Sequence, residues 1–142
     1  MKLFFKKQGL EGDELLNILD CVEDLQRFGA TINQNGTATL FHATSSTSAQ
    51  MILKEQAMFG LENGLFFSTS PNHQIKGYGE VVLAVDVPIR ELILDDEFST
   101  EQHYRVAVRP RVKKRFNIIN HKKRECDLKN NVTLSFLKWQ FL

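Results

Sequence analysis

Two cysteines in 142 residues leave little scope for cross-linking by disulfides or metals. Cys21 and Cys126 stand far apart, and neither belongs to a CxxC pair, so structural zinc is not expected. A reduced, cytoplasmic setting is the default expectation. No apolar run approaches the ~20 residues that a membrane-spanning helix needs, and no membrane partner is expected. The opening Met1-Lys2-Leu3-Phe4-Phe5-Lys6-Lys7 lacks the apolar stretch that follows the charges of a secretion signal. Repeats, low-complexity tracts and linker-like segments are missing as well. The length fits one domain, residues 1–142, large enough to bury a core.

The bulk composition, 42% hydrophobic and 25% charged, is that of an ordinary globule. Its distribution is uneven. Residues 1–104 hold 7 Lys/Arg and 15 Asp/Glu, a net of −8; residues 105–142 hold 11 and 2, a net of +9. The cations cluster at Arg109, Arg111, Lys113, Lys114 and Arg115, then at Lys122, Lys123 and Arg124. A strand pair with a solvated cationic face accounts for such a cluster. The alternative is an electrostatic footprint for nucleic acid or an acidic partner surface. No aromatic-rich RNA-binding signature accompanies it in the sequence.

Hydrophobic periodicity predicts a helix over Asp13 to Phe28, capped by Asp13 and ended by Gly29. Asn33-Gln34-Asn35-Gly36 predicts a turn, and Thr37 to Phe41 a strand delivering His42 at its end. A second helix is expected over Ser48 to Met58, then a buried strand at Leu65 to Ser68 and a short helix from Pro71 to Tyr78. The near-continuous apolar run Val81 to Val87 predicts a strand covered on both faces. Leu92-Ile93-Leu94, His103 to Val108, and Val132, Leu134 and Phe136 suggest further strands, with Trp139 and Phe141 as packing residues. Asp95-Asp96 reads as a solvated turn between strands. The order, an N-terminal helical segment 1–36 and then mostly strands over 37–142, is that of an α+β domain.

Three short motifs carry the chemistry. Leu40-Phe41-His42-Ala43-Thr44 places an imidazole beside small and hydroxylic residues. Gly64-Leu65-Phe66-Phe67-Ser68-Thr69-Ser70 ends a strand in hydroxyls, and Gly77-Tyr78-Gly79 sets an aromatic between flexible positions. Imidazole, hydroxyl and phenol groups at strand ends suit a polar ligand. In this order the motifs resemble the ADP-ribosyltransferase superfamily over residues 37–108. The likeness is to its His-Tyr-Glu branch, which includes the poly-ADP-ribose polymerases and diphtheria-like toxins.

The resemblance implies an ADP-ribosyltransferase-like split antiparallel β-sandwich with flanking helices, and NAD⁺ as co-substrate in the cleft. His42 would bind a ribose hydroxyl, Ala43 would meet the carboxamide through its backbone, and Thr44 follows. Phe67, Ser68 and His103 join the NAD⁺-binding set, and Tyr78 would lie against the nicotinamide ring. Cleaving the nicotinamide–ribose bond passes through an oxocarbenium-like state that a nearby carboxylate stabilises. That carboxylate falls on Glu101, with Gln102 and His103 as neighbouring positions and Asp95 and Asp96 in reserve. Arg105 is a candidate phosphate contact, whereas His73 and His121 read as bland loop residues.

The implied activity is mono-ADP-ribosyl transfer from NAD⁺ to a protein or nucleic-acid acceptor, without a metal. The compact size suits a bacterial or phage effector or toxin-like protein. Two other readings stand beside it. One is a catalytically inactive NAD- or ADP-ribose-binding module of the same fold. The other is an RNA-directed enzyme, either 2′-phosphotransferase-like or a ribonuclease using His42 and His103 as an acid–base pair. Arg27 and Arg90 are the sole arginines of residues 1–104, which argues against a phosphotransferase pocket.

Overall fold

The computed structural model describes residues 1–122. The strand expected around Val132, Leu134 and Phe136, together with Trp139, Phe141, Cys126, Lys123 and Arg124, lies outside the described residues. Among the described residues no helix is long and apolar enough to cross a membrane.

The periodic N-terminal segment forms helix α2, Gly12–Arg27, with Leu15, Val22 and Leu25 buried. Asp13 does not cap it. Glu11 occupies that position without a side-chain bond, and Asp13 lies in the first turn, where its charge meets the positive end of the helix dipole. Gly29 ends the helix at φ +82°, as the sequence suggests. A shorter helix α1, Lys2–Lys7, precedes α2 and drives Phe5 into the core at 0% exposure. Six residues are too few to show a period, so the pattern missed it. Residues 1–36 are no appendage: Phe5, Leu15 and Leu25 share one core cluster with the sheet, and strand β1, Thr31–Ile32, pairs with the next strand.

Strand β2, Thr37–Thr44, runs past Phe41, so His42 lies inside it and not at its end. Helix α3, Ser46–Glu55, is capped by the Ser45 hydroxyl on the Ser48 N–H and stops earlier than its periodicity suggests. Gln56 adopts a left-handed φ of 53°, and Ala57–Phe59 becomes strand β3. Strand β4, Leu65–Ser68, leads to a 3₁₀ turn, His73–Tyr78. Strand β5, Val81–Pro88, is followed by a short 3₁₀ turn and strand β6, Leu92–Glu97. Asp95 and Asp96 therefore belong to a strand and do not form the expected turn. Strands β7, Gln102–Val106, β8, Lys113–Arg115, and β9, Asn117–Asn120, complete the described chain.

The architecture is α+β. One antiparallel sheet runs β6-β7-β4-β2-β5-β9 with β1 beside β2, and β3 and β8 form a separate ribbon. Leu40, Val85 and Ile118 face one another across β2, β5 and β9, and each is at most 2% exposed. Phe67 and Tyr104 continue this apolar face on β4 and β7. The period of two sends their neighbours Ser68 and His103 to the opposite face. Two neighbouring strands are barely joined: β2 and β4 share the single residue pair Phe41–Ser68. The sheet opens at that seam.

Gln56 ties β9, the last of the described strands on that side of the sheet, to the end of α3. Its side chain donates to the Leu53 and Ile118 carbonyls at 2.9 and 2.8 Å and accepts from the Ile118 N–H at 2.8 Å. Gln56→Ala leaves both backbone groups of Ile118 without these partners and should cost about 2–3 kcal/mol. Urea unfolding measures this, and an unchanged midpoint would show that β9 does not need the clasp.

Candidate functional site

At the seam the strands are held by a side chain where a backbone ladder would otherwise run. His42 Nδ1 bonds the Phe66 carbonyl at 2.9 Å. A carbonyl only accepts, so Nδ1 carries the proton and the neutral ring keeps a lone pair on Nε2. Burial pushes the His42 pKa below its usual 6.5, partly countered by the bond to Phe66. The ring also packs on Phe67, with centroids 5.8 Å apart.

This opening forms a cleft of about 530 Å³. Of the residues singled out in the sequence, His42, Ala43, Thr44, Phe67, Ser68, Tyr78 and His103 all line it. Asp95 and Asp96 line it too, from β6. Tyr78 stands at its mouth, 74% exposed, on the 3₁₀ turn that Ile75 anchors. The fixing of this turn explains Gly79: a Cβ there would lie 2.4 Å from the carbonyl carbon of Thr44.

Glu101 stands apart from the lining. Its side chain is fully buried at the start of β7, and donors hold both oxygens. Oε2 accepts from the Ser68 hydroxyl at 2.5 Å and meets His103 Nε2 at 3.2 Å, while Oε1 accepts from the Gln74 N–H at 2.9 Å. Burial alone would raise its pKa. The bonds from Ser68, Gln74 and His103 outweigh burial and hold the carboxyl below the usual 4.5. The ionised form thus stabilises the fold above the ordinary carboxyl range, and that stability is lost as the pH falls through the depressed value.

The carboxylate also sets the His103 tautomer. An ionised oxygen accepts, so Nε2 donates and Nδ1 keeps the lone pair when the ring is neutral. His42 and His103 are therefore fixed in opposite tautomers at one cleft. Phe98 lies over His103, with ring centroids 4.9 Å apart.

Sequence reasoning missed Gln74, Phe98 and Leu61, which also line the cleft. Gln74 acts through its backbone, which no side-chain pattern reveals. Phe98 arrives by the β6–β7 connection, where its N–H bonds the Glu101 carbonyl at 2.9 Å, and Ser99-Thr100 was the available turn signal. Arg105 lies in a neighbouring groove, 3.9 Å from Asp95. His73, at φ +64°, does not line the cleft, and the His121 ring packs edge-on against Phe41. Among the described residues no group of three or more His, Cys, Asp or Glu is placed to hold a metal ion.

Gly79→Ala should force the 3₁₀ turn off β2, lower the melting midpoint by several degrees and shift the His42 imidazole resonances in NMR spectra. Gly77→Ala, with nothing within 4 Å of the added carbon, should leave both unchanged. Equal behaviour of the two variants would show that the turn does not depend on the Thr44 contact. Compared with protein-family models, with curated proteins and with solved structures, the chain matches none.

Proposed function

We propose that the cleft binds NAD⁺ and that the protein is a mono-ADP-ribosyltransferase of the ADP-ribosyltransferase-like fold, acting in the cytoplasm. The observation that carries this reading is convergence. Residues 42–44, 67–68, 78 and 103, scattered along the chain, line one cleft at a seam in the sheet. Its volume of about 530 Å³ falls within the range of small-molecule sites. NAD⁺ supplies a ribose already bonded to a good leaving group, which departs as neutral nicotinamide with the bond's electron pair.

The chain's own groups have separate tasks. His42 Nε2 accepts a hydrogen bond from a ribose hydroxyl, while the Phe66 carbonyl locks the ring. The exposed Tyr78 ring offers a face to the nicotinamide. Asp95 and Asp96 bring negative charge to the cleft, where an oxocarbenium-like state is stabilised. His103 takes the proton that the acceptor loses as it bonds to the ribose carbon. Glu101 is the positioning group: shielded from the cleft, it acts by aiming His103 and Ser68 and pinning the 3₁₀ turn through Gln74.

Nicotinamide release from NAD⁺ by the purified protein tests the reading. His42→Ala should abolish release, and His73→Ala should leave it intact; like behaviour of the two would place the site elsewhere. Because protonation removes the Nε2 lone pair, the acid limb of the rate should have its midpoint below 6.5. Measurable NAD⁺ binding without release would identify a binding module. RNA cleavage without NAD⁺ would identify a ribonuclease built on the same two imidazoles.

Glu101→Gln should cut transfer by at least ~100-fold and also lower the melting temperature, since it removes a buried hydrogen-bonded charge. His103→Gln should cut transfer with little effect on melting. A Glu101→Gln protein that melts earlier yet turns over normally would remove Glu101 from the mechanism.

A further inference from the structure

A second groove, of about 830 Å³, adjoins the cleft and shares Phe66 and Asp95 with it. Arg105 and Arg109 line it, together with Glu62 and Asp95. From Arg105 to Lys122 the chain holds seven Lys/Arg and no Asp/Glu, and this stretch leads out of the groove into β8. Several of these cations are already engaged: Lys113 with Glu55 at 3.0 Å, Lys114 with Glu91 at 2.6 Å, and Arg105 with Asp95 at the long distance of 3.9 Å. Arg109 and Arg111 are exposed and have no acidic partner among the described residues.

The backbone that carries them is held in place. Gly60 N–H bonds the Val112 carbonyl at 2.8 Å, and the Arg111 N–H bonds the Gly60 carbonyl at 3.0 Å. Gly60 is required at this approach, because a Cβ would lie 2.1 Å from the Arg109 carbonyl oxygen. Arg111 sits at φ +66° within this clasp. Fixed cations lose less freedom on binding than cations on a loose tail.

Folding also supplies what the sequence of the basic stretch lacks. Phe66 of β4, 38% exposed, lies at the junction of groove and cleft. Phe59 of β3, 55% exposed, is the register partner of Lys113, whose ammonium lies 6.0 Å from the ring centroid. Exposed rings that share a groove and its adjoining ribbon with cations, Phe66 with Arg109 and Phe59 with Lys113, form the pairing that single-stranded nucleic acid uses, with bases on aromatic faces and phosphates on cations. An acidic peptide would satisfy the arginines but has no use for the two rings.

We propose that this groove and the adjoining β3–β8 ribbon bind a single-stranded polynucleotide and present it to the cleft. That the strand is the acceptor of ADP-ribose rests on the function proposed above; its binding does not. Binding is read by fluorescence anisotropy with the full chain, without NAD⁺, using fluorescein-labelled single-stranded DNA and RNA of the same sequence. Saturable binding should weaken about tenfold between ~0.05 and ~0.2 M salt, as a few phosphate contacts require. Phe66→Ala and Arg109→Glu should each weaken it about tenfold, while Lys2→Ala, on α1, should not.

Equal affinity for the two strands points to backbone and stacking contacts, and a preference for RNA points to the 2′-hydroxyl; either supports the proposal. A polyglutamate peptide of matched charge that binds as tightly as the oligonucleotides would overturn it in favour of an acidic protein partner. Undiminished binding by both variants would overturn it as well. Arg109→Glu should keep nicotinamide release in the absence of acceptor, so failure of this groove and failure of the cleft chemistry register in different assays.

Discussion

A carboxylate without access to water survives as an anion only if protein donors replace the hydration it gave up. At Glu101 the Ser68 hydroxyl, the Gln74 N–H and His103 do so. These donors come from the end of β4, the 3₁₀ turn and β7, so meeting the demands of one charge fixes three segments relative to each other. The turn brings Tyr78 to the mouth of the cleft, and the strand brings His103 to its wall. Were the carboxylate merely a surface charge at a strand start, nothing would hold these pieces in register.

The same region is where the sheet is weakest in backbone terms. One residue pair joins β2 to β4, and the His42 imidazole bonds the Phe66 carbonyl just beyond it. A continuous ladder would have satisfied that carbonyl and closed the cleft. Opening the sheet thus creates the cavity, and the histidine meets the hydrogen-bonding need that the opening leaves. The apolar row Leu40–Val85–Ile118 continues away from the seam across β5 and β9 and is unbroken, which lets the core tolerate the opening.

Much of the fold was legible because its signals are local. The period of α2, the Asn-Gly turn, and the apolar strands expected at Leu65–Ser68 and Val81–Val87 appear where the pattern places them, the second running one residue further, to Pro88. The misses have physical reasons as particular as the hits. Helix α3 ends early because Gln56 turns left-handed to clasp β9, a partner 62 positions away. Asp95 and Asp96 look like turn residues but sit on an edge strand whose outer side faces water, where charge costs little. Strands β8 and β9 have no alternating apolar pattern long enough to read. In the cleft, His42, Ser68, Tyr78 and His103 were visible as candidate site residues. That Glu101 is shielded from the cavity was not, since burial belongs to the assembled sheet.

The sequence alone determined the inventory: one α+β chain with few cysteines, a reversal of charge after residue 104, and imidazole, hydroxyl and phenol groups in ordered motifs. Those properties depend on composition and on spacings of two to four residues, which any reader of the chain can count. Only the tertiary structure decided which groups share a cavity, which tautomer each histidine holds, and that exposed phenylalanines share a groove and a ribbon with the cations. Each of these depends on contacts between segments tens of residues apart. Such contacts are chosen by core packing and by the demands of buried polar groups, and no local pattern encodes them.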